Sequence, residues 1–174
     1  VYSNFATGGF KYPIKSIRSV VDSNGRLLER YGLTVQNTID PSAAYILNYG
    51  LQQVMSAGTG RSAYSALLTD LKLAGKSGTT NDTRDSWLAG YSGNYLSVVW
   101  LGLDDNKVTG LTGSSGALPV WTNVMKQLRQ KPVNLRQTEN VQWQWIDRAT
   151  GHLSAQGCEG AMYIPLLRNN VPRE

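Results

Sequence analysis

The segment Lys76-Ser77-Gly78-Thr79-Thr80 combines residue types that can do chemistry, and it stands at the end of a predicted apolar strand. It supplies a cation, hydroxyl groups and backbone N–H groups, while Gly78 lets a ligand approach the backbone closely. Such a strand end can bind a carboxylate through charge-assisted hydrogen bonds and present an N–H group to an oxyanion. A plain strand end with a glycine-containing turn is the simpler interpretation, and the residue types alone leave both open.

Two other kinds of site fit the sequence poorly. Gly75-Lys76-Ser77 has the ending of a phosphate-binding P-loop, but Asp70 stands where that motif needs glycine, and no helix is predicted to follow. No serine lies in a G-x-S-x-G segment or precedes a lysine by three residues, as the nucleophiles of serine hydrolases and acyltransferases do. The single histidine, His152, has no obvious partner and is predicted to be a surface or turn residue.

Composition excludes several further classes of protein. With 41% hydrophobic and 17% charged residues, the chain is not intrinsically disordered. Its net charge of +5 is scattered, which favours a solvated basic surface over a nucleic-acid partner. One cysteine and one histidine predict no metal site, and no cofactor is predicted. Cys158 fits either a buried thiol or a partner outside the chain, and the longest apolar stretch, residues 96–103, is too short to span a membrane.

The elements that must position the Lys76 segment follow from periodicity and turn residues. In chain order they are a helix over 1–6, a β-hairpin over 14–30 around Asn24-Gly25, a helix from Pro41 to Gly58, a short helix near 64–68, three strands between 71 and 104, a glycine-rich loop over 110–116, a helix from Pro119 to Leu128, and short strands near 141–145 and 162–166. This order predicts an α/β chain of the α+β type, with an antiparallel sheet flanked by helices. The third strand is apolar on both sides and is therefore predicted to be central in its sheet.

The chain is predicted to have two parts. Residues 1–131 form the main unit, and residues 132–174 form a tail or a small β-rich subdomain. The sequence opens at Val1 without a methionine and ends without a recognisable terminus, so we expect a piece of a longer protein.

Residues 75–91 resemble the stretch around the third motif, K-T-G, of the penicillin-binding proteins, and most closely the class A, bifunctional peptidoglycan synthases. Gly58-Thr59-Gly60-Arg61 resembles a G-T-G-R element of the same class, and residues 113–121 resemble the loop and helix that follow. The order and the intervals agree from about Val1 to Leu128.

The resemblance implies a partial serine acyltransferase fold, as in penicillin-binding proteins and β-lactamases. Lys76 then matches the lysine that favours the terminal carboxylate of the substrate and helps proton transfer, and Ser77 stands where threonine is usual. Gly78 has no side chain and so lets the substrate approach the strand closely. Thr79 matches the residue whose hydroxyl contacts the carboxylate and whose N–H completes the oxyanion hole. Catalytic roles are thus expected for Lys76 and Thr79, and substrate contacts for all four residues.

The first two motifs of the family, S-x-x-K and S-x-N, are missing upstream of Lys76. Ser92-Gly93-Asn94 fits the second motif by letter, but it follows Lys76 between two predicted strands and is predicted to be a hairpin turn. The chain is therefore expected to be the C-terminal part of a transpeptidase domain, with its nucleophile outside these residues, and to be inactive alone.

The function implied is a D,D-transpeptidase that cross-links peptidoglycan stem peptides ending in D-Ala-D-Ala through an acyl-serine and that binds β-lactams. Its expected partners are those peptides, β-lactam antibiotics and the upstream half of the same protein. The whole protein would be periplasmic and anchored in the inner membrane by an upstream segment. A glycosyltransferase domain would also lie upstream. The alternatives are a D,D-carboxypeptidase or β-lactamase, in which water is the acceptor, and a non-catalytic module that binds cell-wall peptides or a protein.

Several residues outside the motif also carry expectations. The charged residues Asp82, Arg84 and Asp85 are expected to form local ion pairs and turn contacts. Among the aromatic residues, Trp87 and Trp100 are expected in the core, while Trp143 and Trp145 are expected to pack a short strand or else form a small binding face.

Overall fold

A computed structural model describes residues 1–172 of the chain, and the last two residues of the predicted tail, Arg173 and Glu174, lie outside the described residues. The helices are α1 (Tyr2–Ala6), α2 (Pro41–Ser56) and α3 (Leu118–Lys126). The strands are β1 (Phe10–Lys11), β2 (Ser19–Val21), β3 (Leu27–Arg30), β4 (Gln36–Asn37), β5 (Ala74–Thr79), β6 (Ser86–Tyr91), β7 (Leu96–Leu101), β8 (Val141–Asp147) and β9 (Ala161–Leu167). Short 3₁₀ turns occupy Arg61–Ser65, Thr69–Leu71, Asn81–Thr83 and Arg168–Asn170.

The central sheet is antiparallel, in the order β5-β6-β7, as the sequence predicted. Its first strand begins later than expected, at Ala74, because a 3₁₀ turn over Thr69–Leu71 precedes it and Lys72 has a left-handed backbone conformation. The Lys76 segment is therefore part of β5: Lys76 lies opposite Ala89, and Thr79 lies opposite Ser86.

The prediction of a central third strand is wrong for the described residues, in which β7 is an edge strand. The side chains of Val98 and Trp100 on β7 are exposed. Trp87 and Trp100 lie side by side with ring centroids 6.0 Å apart, and they are 42% and 45% exposed, so their predicted place in the core is wrong as well. The apolar pattern on both sides of β7 reflects a sheet face that nothing within residues 1–172 covers.

Helix α2 begins where the sequence indicated, because the Asp40 carboxylate accepts hydrogen bonds from the N–H groups of Ser42 and Ala43, and Pro41 fits the first turn. Its apolar face packs along β5. The buried Tyr91 of β6 fixes the helix to the sheet by donating its hydroxyl to Asn48 Oδ1 at 2.7 Å. Burial raises the pKa of Tyr91, so this hydroxyl remains a donor across the physiological pH range.

Helix α3 packs against β6 and β7. Trp121 is fully buried beneath β6, and a Cβ atom at Gly90 would lie 2.8 Å from its ring, so glycine is needed there. The predicted loop over 110–116 instead contains one π-helical turn, Gly113–Ala117, which Thr112 caps before α3 begins. The buried residues of this core are Met55, Ala63, Leu67, Leu71, Leu73, Leu88, Ala117, Leu118, Trp121 and Met125.

The segment between α1 and α2 lies on the surface. Strands β2 and β3 confirm the predicted hairpin, although they are shorter than expected and every one of their residues is exposed. The Asp22 carboxylate holds the turn by accepting the N–H groups of Asn24 and Arg26. Strands β1 and β4 form a second antiparallel pair of two residues each.

The residues after 132 form a separate two-stranded sheet from β8 and β9, longer than the predicted strands. The connecting segment touches the main unit, because Val133 N–H donates to the Leu71 carbonyl and the hydroxyls of Thr138 and Ser42 lie 2.7 Å apart. His152 is exposed, as expected, whereas the exposed Cys158 excludes the buried-thiol interpretation. Within the described range, no helix is both long and apolar enough to cross a membrane.

Candidate active site

The site lies on the outer edge of β5, where no other strand within residues 1–172 pairs. The N–H group of Thr80 donates to the Asp85 carbonyl, so Thr80 faces β6. Backbone groups alternate along an antiparallel strand, so the N–H groups of Thr79 and Ser77 point away from β6, towards the open edge. The Thr79 N–H is thereby available to a ligand oxygen.

The ammonium group of Lys76 reaches this same edge. Its side chain is exposed, and Nζ donates to the Ser77 carbonyl at 2.6 Å. Because side chains alternate along a strand, Lys76 leaves the face opposite to that of Ser77 and Thr79 and curls back to the edge. A single strand edge thus presents a cation and a free N–H group within a few residues of each other.

Two hydroxyl groups lie on the other face of β5. Ser77 Oγ is 2.7 Å from the hydroxyl of Thr59, which follows α2. Thr79 Oγ1 accepts the N–H of Gly113 at 2.9 Å, which leaves the hydroxyl hydrogen of Thr79 free to donate. Both hydroxyls are therefore oriented by residues from outside the strand.

Gly113 lies against the site because it has no side chain. A Cβ atom there would lie 2.8 Å from the Gly78 carbonyl oxygen, from Ser77 Cβ and from the Trp87 carbonyl oxygen. In the sequence, Thr59 and Gly113 belong to the two flanking elements, and no role is predicted for either residue. Their place in those elements is the signal by which they could have been found.

The turn after the site is held by the expected local contacts. Asp85 Oδ2 accepts the Thr80 hydroxyl at 3.1 Å, and Asp85 Oδ1 accepts the Trp100 indole N–H at 2.8 Å. Arg84 forms an exposed ion pair with Asp82 at 3.6 Å. A 3₁₀ turn, rather than the helix of a P-loop, follows the segment.

The structure brings Lys76, Ser77, Gly78 and Thr79 together along one strand edge. Ser92-Gly93-Asn94 does not join them: it is the hairpin turn between β6 and β7, closed by the Ser92 N–H donating to the Tyr95 carbonyl at 2.9 Å. Chemically, the edge can bind a carboxylate through Lys76 and the hydroxyls while Thr79 N–H stabilises a developing oxyanion.

Comparison with known proteins shows what this chain is similar to. The family model of the penicillin-binding protein transpeptidase domain matches residues 1–128. Penicillin-binding protein 1B of Vibrio cholerae is 35% identical over 169 residues, covering 97% of this chain and 22% of that protein. Penicillin-binding protein 1A of Pseudomonas aeruginosa is 38% identical over 138 residues, covering 77% of this chain and 16% of that protein.

The fold is shared with a solved structure. The crystal structure of penicillin-binding protein 1A from Haemophilus influenzae matches with a TM-score of 0.87 at 21% sequence identity, covering 99% of this chain and 32% of that one. The predicted fold class, an antiparallel sheet with helices in a partial serine acyltransferase fold, is thus confirmed. The chain spans about a fifth of the length of the curated relatives it matches. With residues 1–128 matched by the family model, the chain belongs to the penicillin-binding protein transpeptidase family.

Proposed function

We propose that this chain forms the carboxylate- and oxyanion-binding wall of a serine-type D,D-transpeptidase in a bifunctional peptidoglycan synthase. The observation that carries the proposal is the open edge of β5, which presents Lys76 Nζ and the Thr79 N–H, with the oriented hydroxyls of Ser77 and Thr79 on one face of the same strand. The substrates are stem peptides ending in D-Ala-D-Ala, and β-lactams acylate the same site. Residues 1–131 belong to the transpeptidase domain, and residues 132–174 form a β-rich tail.

The chemistry is acyl transfer in two steps. A serine Oγ attacks the carbonyl carbon between the two D-alanines, an ester bond forms, the C–N bond breaks, and the terminal D-alanine leaves with a proton on its amine. The amine of a second stem peptide then attacks the ester and releases the serine. In both steps Thr79 N–H donates to the carbonyl oxygen as negative charge develops on it, and Lys76 with the two hydroxyls orients the substrate carboxylate.

The nucleophile comes from residues of the same protein outside this chain, because no serine here has lysine three residues later. The sheet has an uncovered surface against which the rest of the domain can pack. The outer edge of β7 is unpaired within residues 1–172, and the Trp87, Val98 and Trp100 side chains on the adjoining face are exposed. An unpaired strand beside exposed tryptophans is a surface that further strands or helices of the same domain can cover. We also propose that the protein is periplasmic and is anchored in the inner membrane by an upstream segment.

Labelling of the complete protein with a fluorescent penicillin tests this function. The intact mass is measured before and after labelling, and the adduct is located by peptide mapping. The proposal predicts one adduct on a serine outside these 174 residues, and competition by a peptide ending in D-Ala-D-Ala. An adduct on a serine within the chain, or none on the complete protein, contradicts it. Products made with an amine acceptor and with water alone separate transpeptidation from hydrolysis.

A further inference from the structure

A polar groove of about 330 Å³ lies between α2 and the tail, apart from the edge of β5. Its helical wall presents Tyr45, Tyr49, Gln52 and Gln53, which share one face of α2 because they are four, seven and eight residues apart. Its opposite wall is formed by Trp143 of β8 and by the segment 133–135 that leads into the tail. Neither the catalytic motif nor the proposed acyl transfer uses this groove.

Aromatic rings form a rigid platform at the groove. Trp143 stacks on Tyr163 with ring centroids 5.3 Å apart, and Tyr49 meets Trp143 edge to face at 5.2 Å. The Trp145 ring also packs against Tyr163, with ring centroids 5.1 Å apart. Hydrogen bonds fix the rings: the Trp143 indole N–H donates to Gln137 Oε1 at 3.1 Å, and the Tyr49 hydroxyl donates to the Tyr163 carbonyl at 3.3 Å. Tyr163 nevertheless stays 48% exposed.

The polar side chains of the groove are mostly amides. Within residues 1–172, the side chains of Gln52, Gln53 and Asn134 make no hydrogen bond to the protein, so both their donors and their acceptors are available. No carboxylate lines the groove, and Lys72 is its one cationic group among the described residues. The lining therefore suits a neutral ligand with many hydroxyl and amide groups.

We infer that this groove binds an N-acetylated amino-sugar oligosaccharide, the chemical class of a peptidoglycan glycan strand. A pyranose ring has a flat face of C–H groups that can pack on the part of the Trp143 indole that lines the groove, while its hydroxyl and acetamido groups match free amide side chains. The choice of amino sugars rests on the proposed function.

The groove lies near the candidate active site. Tyr49, in the groove, and Ser56, at the end of the helix, are separated by about 10 Å along α2, and Thr59, just beyond this helix, contacts Ser77. A glycan strand held here would keep its attached peptide close to the β5 edge.

Titration of the complete protein with the β-1,4-linked tetrasaccharide of N-acetylglucosamine, which carries no peptide, tests the inference by calorimetry. We expect binding that Trp143→Ala weakens about tenfold or more through loss of the stacking surface. Gln52→Ala, a change on the helix surface that should leave the fold intact, weakens binding about three- to tenfold through loss of hydrogen bonds. Trp100→Ala is the control, since it removes an exposed tryptophan on another face of the molecule and should leave the affinity unchanged.

Two results would overturn the inference: an affinity that neither Trp143→Ala nor Gln52→Ala changes, or equal binding of cellotetraose, which lacks the acetamido groups. Penicillin acylation is measured on the same preparations. Failed acylation with intact, Trp143-dependent sugar binding contradicts the proposed enzyme and leaves a glycan-binding module. Intact acylation without such binding contradicts the groove alone.

Discussion

The hydroxyl oxygens of Thr59 and Ser77 lie 2.7 Å apart and join the segment after α2 to the edge strand β5. Thr59 lies in the Gly58-Thr59-Gly60-Arg61 element, so this contact links that element to the Lys76 segment. Ser77 lacks the β-methyl group of the threonine that the family resemblance leads us to expect here, so its side chain rotates more freely. Thr59 supplies the hydrogen-bond partner that restricts this rotation.

Thr59→Val is expected to slow β-lactam acylation of the complete protein about three- to tenfold, because it removes a hydrogen bond of about 0.5–1.5 kcal/mol that orients Ser77 Oγ. The second-order acylation rate constant, measured by stopped flow, checks this. Ser77→Ala should slow acylation at least as much, and the double variant should be no slower than Ser77→Ala alone, because both changes remove the same interaction. Additive losses would show that Thr59 acts independently of Ser77.

Gly113→Ala is expected to impair both stability and acylation. The new Cβ would lie 2.8 Å from Ser77 Cβ, so the π-helical turn must move off the sheet and lose its bond to Thr79 Oγ1. Overpacking of this kind costs about 1–3 kcal/mol. Gly50→Ala in α2 is the control, since a Cβ there meets nothing within 4 Å and helix propensity favours alanine. Urea unfolding and acylation rates are the measurements, and equal behaviour of the two variants would contradict the prediction.

Tyr64→Phe is expected to destabilise the start of β5 without changing any residue of the candidate active site. The Tyr64 hydroxyl accepts the N–H of Leu73 at 2.8 Å, and Leu73 is fully buried. Burial raises the pKa of Tyr64, so the neutral hydroxyl persists at alkaline pH. Removing it leaves the buried N–H of Leu73 without an acceptor, which lowers the free energy of unfolding by about 1–3 kcal/mol. Tyr95→Phe, which removes the hydroxyl of a more exposed tyrosine, should change unfolding by less than about 0.5 kcal/mol.

Asp85→Ala is expected to loosen the turn after the site, because the carboxylate bridges the Thr80 hydroxyl and the Trp100 indole. Asp85→Asn provides the matched control: its amide oxygen can still accept the indole N–H and its NH₂ can donate to Thr80 Oγ1. The amide exchange rate of Thr80, whose N–H donates to the Asp85 carbonyl, reports the loosening. Faster exchange in both variants would mean that the charge matters rather than the bridge.

Much of the fold could be predicted from local signals. Asp40-Pro41 specified the start of α2 because capping chemistry is local, and Asn24-Gly25 specified a hairpin because a tight turn depends on its own residues. The Ser92-Gly93-Asn94 turn was predicted for the same reason, and the structure confirms it.

The misplaced residues depend on long-range contacts. Trp87 and Trp100 are apolar enough for a core, but burial depends on whether another layer covers their face, which no local pattern encodes. The contacts of Thr59 with Ser77 and of Gly113 with Thr79 join residues 18 and 34 positions apart. Residue types near Lys76 therefore indicated anion chemistry, but they could not indicate which outside groups orient its hydroxyls.

The central claim is that Lys76 on the edge of β5 serves acyl transfer. The most direct test is the second-order rate constant for acylation of the complete protein by a fluorescent penicillin, with Lys76→Ala compared with Lys107→Ala. Lys107 is an exposed lysine paired with Asp105 away from the site. Lys76→Ala should react at least about a hundredfold more slowly, because orientation of the carboxylate and proton transfer are both lost, while Lys107→Ala reacts like the unaltered protein. Equal rates for all three proteins would contradict the assignment of Lys76.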